Sequence, residues 1–336
     1  MSGRAQAMQG FLDSAGWGAA THHHLAGDAS DRRYERLTMA GQCAVLMDNP
    51  PGGADDPAAF VLIARHLSGL GLSAPRIMAA DTAQGFLLLE DLGDALFARL
   101  LAQEPSREKA LYTVATDALI HLQRAPAPAD LPDLTAAQWA GAAAFALDWY
   151  AFAATGAKPD PVAFTDALTE ALQTHADGPR VLILRDYHAE NLLWLPDRQG
   201  AARAGLLDFQ LGQMGQPAYD LVSLLQDARR DVAPAIVAAM TARFAAATGA
   251  SGIDATFATL GAQRALRILG VFARLALVAG KPAYLALMPR VWGQLQANLS
   301  HPALKPLAKV CTSLLPPPTA PVLERIARQC GTHPTP

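Results

Sequence analysis

Three short apolar runs, Val181-Leu182-Ile183-Leu184, Leu192-Leu193-Trp194-Leu195 and Gly205-Leu206-Leu207, interrupt a long helical stretch of this chain. Turn-forming and charged residues separate them, and none is long enough for a helix, so they read as brief strands framing loops. The loops carry the chemistry. Asp186 follows the first run, Asn191 stands five residues later, and Asp208 closes the third. Phosphoryl transfer requires such a set: a carboxylate to orient an acceptor hydroxyl and take its proton, and two hard oxygen ligands for Mg²⁺. Loops anchored by strands supply the rigidity that positioning demands.

The rest of the chain frames this island. Residues 33–39 and 43–47 are strand-compatible, and Pro57 opens a helix in which Phe60, Ile63, Ala64 and Leu67 share one face. Residues 76–80 and 85–89 form a second strand pair. Beyond Leu92 helices dominate, at 107–124, 135–154, 160–175 and from Pro217 to the break at Pro316-Pro317-Pro318, with a last helix at 321–329. The outline is α+β: a small sheet-containing lobe, a connector near residues 90–94, and a larger helical lobe. The smaller lobe is expected over 1–92 and the larger over 93–336.

Composition narrows the function. Hydrophobic residues make up 51% of 336, enough for a sizeable core. The most apolar stretch, 271–280, is too short to span a membrane and contains Arg274. No apolar signal core occurs in the first thirty residues, and three unrelated cysteines (Cys43, Cys311, Cys330) fit reduced thiols, so a cytoplasmic monomer without a membrane partner is expected. The net charge of −3 hides an asymmetry: residues 1–228 hold 15 Lys and Arg against 27 Asp and Glu, and residues 229–336 hold 12 against three. A nucleic-acid partner is disfavoured by the overall balance. His22-His23-His24 suggests metal at first sight, but neighbours on an extended segment point to alternate sides, and a surface loop is the expected reading.

The island's spacing matches the catalytic and magnesium loops of protein kinases, with two departures: Leu184 replaces the His and Gln210 the Gly of that pattern. Both fit small-molecule relatives. Over nearly its whole length the chain resembles the anomeric N-acetylmuramate/N-acetylglucosamine kinases of the aminoglycoside-phosphotransferase-like superfamily. The matching segments are Gly27-Asp28-Ala29-Ser30 with Arg32-Arg33-Tyr34, Ala44-Val45-Leu46-Met47-Asp48 with Pro50-Pro51, residues 85–93 (GFLLLEDLG), the island, and residues 216–231 (QPAYDLVSLLQDARRD). The resemblance implies a bilobal protein-kinase-like fold, ATP with Mg²⁺, and phosphorylation of an amino sugar at its anomeric hydroxyl in cell-wall recycling. It implies Asp186 as the base, Asn191 and Asp208 as magnesium ligands, a hinge of Glu90, Asp91 and Leu92 meeting the adenine through its backbone, and a loop ending at Ser30 over the phosphates.

One element of the protein-kinase pattern is missing. A Lys on the third strand normally meets the phosphates; here Met47 stands in that run, and the helix opened by Pro57 contains no acidic partner. The nearest cations are Arg32, Arg33 and Arg36. Arg33 is placed with the nucleotide-binding residues, although strand alternation sends it to the opposite face from Arg32, so only one of the two points inward. On the acceptor side His188, Asp227 and Arg229 are candidates, with packing and surface ion pairing as their plain alternatives. Asp220 is read as a brace. Trp139, Trp149 and Tyr150 are read as core, with an aromatic platform for a sugar as the alternative. The basic balance past residue 228 disfavours polycationic antibiotics and suits a neutral or carboxylate-bearing sugar, and choline-like acceptors fit poorly because they want an aromatic and acidic cage. Two other functions compete: another small-molecule hydroxyl kinase, and a nucleotide-binding regulator without turnover, against which the intact Asp186/Asn191/Asp208 set argues.

Overall fold

The computed structural model describes residues 3–25, 32–52 and 56–333. In chain order the strands are β1 Thr21–Leu25, β2 Arg33–Met39, β3 Gln42–Asp48, β4 Ile77–Asp81, β5 Phe86–Glu90, β6 Val181–Ile183, β7 Leu192–Trp194, β8 Ala204–Leu206 and β9 Gln213–Gly215. The helices are α1 Gly3–Ser14, α2 Pro57–Gly69, α3 Phe97–Gln103, α4 Glu108–Leu122, α5 Ala136–Ala143, α6 Phe152–Thr155, α7 Val162–His175, α8 Tyr219–Leu225, α9 Pro234–Thr248, α10 Ile253–Leu277, α11 Met288–Leu299, α12 Lys305–Leu314 and α13 Ala320–Ala327. The chain packs as two compact units, Met1–Asp130 with Leu184–Gly212, and Leu131–Ile183 with Gln213–Pro336.

The first unit is built on an antiparallel sheet in the order β1-β2-β3-β5-β4. Met39 pairs with Gln42 across the turn at Ala40 and Gly41, whose φ values of 50° and 77° match the twist of a two-residue hairpin. Alternate residues Leu37, Ala44, Leu46, Phe86 and Leu88 line one face and pack with Phe11, Leu12 and Trp17. Helix α1 thereby covers the sheet, with the Phe11 and Phe86 rings stacked at 5.7 Å. The sequence reading had one helix in this region; α1 is a second, and β1 adds an exposed edge strand where a loop was expected at His22–His24.

Helix α2 starts as its residues dictate. The Asp56 side chain accepts from the Ala58 amide at 2.8 Å and Pro57 fills the first turn. Its buried stripe is Phe60, Ile63, Ala64 and Leu67, as expected. β7 and β8 form a hairpin pinned to the unit's earlier residues, the Leu206 amide donating to Ser73 and the Trp194 amide to Ala95, both at 2.8 Å.

The second unit centres on the 25-residue helix α10, whose buried residues include Leu260, Leu266, Leu269, Ala273 and Leu277. β6 pairs with β9, a strand the sequence reading did not anticipate. Trp139 and Tyr150 are core residues, while Trp149 is partly exposed under the Arg274 guanidinium. All three cysteines are free thiols, and burial pushes that of Cys311 up to about 12. No single helix among the described residues is long and apolar enough to cross a membrane; α9 and α10 pass only as a pair, bent by 117°.

Candidate active site

The island residues form one hydrogen-bonded loop system in the first unit. Asn191 directly precedes β7, and its Nδ2 donates to the Asp186 main-chain carbonyl at 2.9 Å, closing the loop on itself. The Asn191 amide donates to the His188 carbonyl at 2.8 Å. Across the hairpin, the Leu207 amide donates to the Asn191 carbonyl at 3.0 Å, which joins the segment carrying Asp208 to the one carrying Asp186. Tyr187, buried between them in sequence, anchors the loop by donating its hydroxyl to Ala115 of α4 at 2.9 Å. Phe209 is buried against Phe60 of α2, with ring centroids 4.8 Å apart, and fixes the residue after Asp208.

Backbone strain concentrates here. Arg185 and Asp208 have φ of 71° and 57°, the left-handed region that side chains with a Cβ seldom occupy. Asp tolerates it better than most, and both positions lie in the bonded loop system of Asp186 and Asn191, which holds the strain.

Asp208 Oδ1 accepts from Arg32 Nη2 at 3.0 Å and from Gln210 Nε2 at 2.9 Å. Arg32 is 7% exposed, whereas Arg33 is exposed to solvent. Strand alternation thus resolves with Arg32 turned inward, and Arg33 stands away from the carboxylate. Arg36 is tied elsewhere: it pairs with Asp91 at 2.6 Å and Asp94 at 2.8 Å. The two carboxylates hold its guanidinium well above its ordinary pKa, and Arg36 in turn holds Asp94 below the usual carboxylate range. Glu90, the last residue of β5, accepts from Arg198 at 2.8 Å and from the Arg76 amide at 3.2 Å. The acidic side chains of the expected hinge, Glu90 and Asp91, are therefore both engaged in ion pairs. Ser30 lies outside the described residues.

Asp227 and Arg229 belong to the second unit. Asp227 is buried at 1% exposure; its Oδ1 accepts from the Arg229 amide at 2.8 Å, and its Oδ2 is buried with no hydrogen-bond partner among the described residues. Three successive carbonyls around it are braced: Gln226 by Arg264 at 3.3 Å, Asp227 by Gln294 at 3.0 Å and Ala228 by Arg290 at 3.2 Å. Gln226 and Asn298 exchange side-chain bonds at 2.9 and 2.8 Å beside Gly261, where a Cβ would lie 2.4 Å from Asn298 Nδ2. Asp227 Oδ2 is thus a buried acceptor on a braced loop, of the kind that ordered water or a ligand group satisfies.

Residues 22–256 match the model of a phosphotransferase enzyme family, APH. The chain belongs to this family. The phosphotransferase is 37% identical to the N-acetylmuramate/N-acetylglucosamine kinase of Caulobacter vibrioides, over 91% of this chain and 95% of the relative. It is 32% identical to the kinase of the same name from Pseudomonas aeruginosa, over 93% and 97%. Its fold is that of aminoglycoside phosphotransferase APH(4)-Ia, solved in a ternary complex with ADP and hygromycin B, with a TM-score of 0.58 at 13% identity over 87% of this chain and 98% of the other.

Among the described residues of the phosphotransferase, no group of three or more His, Cys, Asp or Glu side chains is placed to hold a metal ion. Asn191 and Asp208 nevertheless offer the chemistry magnesium prefers. Nδ2 of Asn191 is spent on the loop, which leaves its amide oxygen as the end that would face an ion, and Asp208 would add a carboxylate. An ion held by two protein oxygens completes its shell with phosphate and water, as magnesium does in nucleotide sites. The sequence did not disclose that Arg32 and Gln210 share Asp208, nor that Gln294 braces Asp227 while Arg264 and Asn298 brace Gln226 before it. Gln210 had left a trace, as the side chain standing where protein kinases have Gly.

Proposed function

We propose that this phosphotransferase moves the γ-phosphoryl group of ATP to the anomeric hydroxyl of N-acetylmuramate and N-acetylglucosamine, a step of peptidoglycan recycling. The observation that carries the reading is the closed loop in which Asn191 bonds the Asp186 carbonyl and Leu207 bonds Asn191, so that base and metal ligands form one rigid set. Asp186 accepts the proton of the sugar hydroxyl as its oxygen attacks phosphorus; the bond to the β,γ-bridging oxygen breaks and ADP leaves. Bound at Asn191 and Asp208, Mg²⁺ supplies charge neutralisation on the phosphates.

Residues 1–92 serve the nucleotide in this reading, and residues 93–336 catalysis and the sugar. The hinge meets adenine through the backbone, since the Glu90 and Asp91 carboxylates are engaged by Arg198 and Arg36. On the acceptor side Asp227 takes a sugar hydroxyl or amide on its unsatisfied oxygen, with His188 and Arg229 as further contacts; the basic balance past residue 228 favours a neutral or carboxylate-bearing sugar. The enzyme acts as a cytoplasmic monomer.

Phosphorus NMR of reactions with Mg-ATP and a panel of sugars tests this directly. The expected product from either amino sugar is stable to alkali and labile to acid, as an anomeric phosphate is. Asp186→Asn should lower turnover by about 10²–10⁴ while ATP affinity is retained. Full activity in that variant would remove Asp186 from its role.

A further inference from the structure

The buried cation of the first unit stands on a metal ligand. Arg32 Nη2 lies 3.0 Å from Asp208 Oδ1, and its Nη1 lies 3.3 Å from the Tyr34 hydroxyl. Tyr34 is the direct cross-strand partner of Met47, which is itself buried at 1% exposure. Residues two apart on an extended segment share a side, and the bond to Tyr34 places the guanidinium there. Arg32 therefore reaches, from the residue just before β2, the neighbourhood of the β3 position where protein kinases place their phosphate-binding lysine.

We propose that Arg32 is the phosphate-binding cation of this enzyme and that it changes partner on loading, from Asp208 in the nucleotide-free protein to the donor's phosphates when a divalent ion takes the carboxylate. The inference rests on the functional reading above. Its physical basis is charge balance. A guanidinium at 7% exposure requires an anion beside it, and Asp208 supplies one before nucleotide arrives. A divalent ion and a guanidinium compete for the same carboxylate oxygen. Nucleotide brings both the ion that displaces Arg32 and the phosphate oxygens that receive it, and the planar fork of Arg suits phosphate in two-point contact. One carboxylate is thus neutralised in both states, and the buried guanidinium keeps an anion beside it.

Two binding measurements separate this from the simpler role of a structural ion pair. Mn²⁺ binding to the nucleotide-free protein, followed by electron paramagnetic resonance, should tighten by about threefold to fivefold in Arg32→Gln, because the competing cation is gone and the pair it breaks is partly solvated. Affinity for Mg-ATP, measured by calorimetry, should weaken by about tenfold to 100-fold in the same variant, the loss of a charge-assisted contact. Arg32→Lys keeps the charge without the fork; it should weaken Mg-ATP binding by only about threefold to tenfold, and it carries the test if Arg32→Gln does not fold by circular dichroism. Unchanged Mn²⁺ affinity in Arg32→Gln overturns the exchange, and unchanged Mg-ATP affinity overturns the phosphate role. If the unaltered protein phosphorylates N-acetylglucosamine while both affinities stay put in the variants, the inference alone fails. If the unaltered protein binds no Mg-ATP, the functional reading fails with it.

Discussion

His66 illustrates how one side chain in a helix can set a pH limit. It lies in the last turn of α2, where its Nε2 is buried without a hydrogen-bond partner among the described residues, and burial lowers its pKa below the ordinary value. A depressed histidine is neutral in the folded protein while the unfolded chain still binds a proton. Stability should therefore fall as pH drops below about 6.5 and level off once the folded-state value is passed. His66→Gln should flatten that limb in denaturant titrations at pH 5 to 8; an unaltered slope would show that the ring is solvated. At this scale the sequence was legible where spacing carries the information. The separation and flanking runs of Asp186, Asn191 and Asp208 put them on loops between short strands, and the structure joins those loops by hydrogen bonds. Choosing between Arg32 and Arg33 could not be done, because alternation says that two neighbours differ without saying which faces in. Nor does composition mark the positive φ at Arg185 and Asp208, which the surrounding bonds impose.

Elements were readable in proportion to their length and periodicity. The stripe of α2 and the long helices beyond Pro217 announced themselves. α1 did not, since only Phe11 and Leu12 of its twelve residues are buried and two glycines lower its propensity. β1 carries three histidines and no apolar alternation, and it is a strand because β2 offers it a ladder. The three-residue β9 is too short for any period to show. Helix α10 makes the sharpest prediction at this scale. A Cβ at Gly270 would fall 2.3 Å from the carbonyl carbon and oxygen of Phe145, which are backbone atoms that cannot rotate away. Gly270→Ala should cost about 2–3 kcal/mol in urea unfolding, despite the better helix propensity of Ala. A neutral or stabilising result would mean that α10 and the segment at Phe145 are not packed this closely.

For the whole molecule, the fold class followed from the mixture of a few strands with many helices, and the division into compact units did not. The chain leaves the first unit after Asp130, re-enters it at Leu184 and leaves again after Gly212. Sequence reading places boundaries where texture changes along the chain, so a unit assembled from two separated stretches escapes it. Residues 1–130 expressed alone should not fold, because Ser73, Ala95 and Phe60 would lose the partners at Leu206, Trp194 and Phe209. Poor dispersion of amide proton signals in that fragment is the expected result, and a well-dispersed, cooperatively melting fragment would contradict it.

The same threading has a consequence in time. On the ribosome the amino-terminal part emerges first, yet the hairpin that completes it comes only after residues 131–183 have been made. At about 5–20 residues per second, the interval between residues 130 and 212 is about 4–16 s. Throughout it the Phe60 ring that receives Phe209 and the main-chain carbonyls of Ser73 and Ala95 that pair with Leu206 and Trp194 wait without those partners, so the first unit closes only late in synthesis.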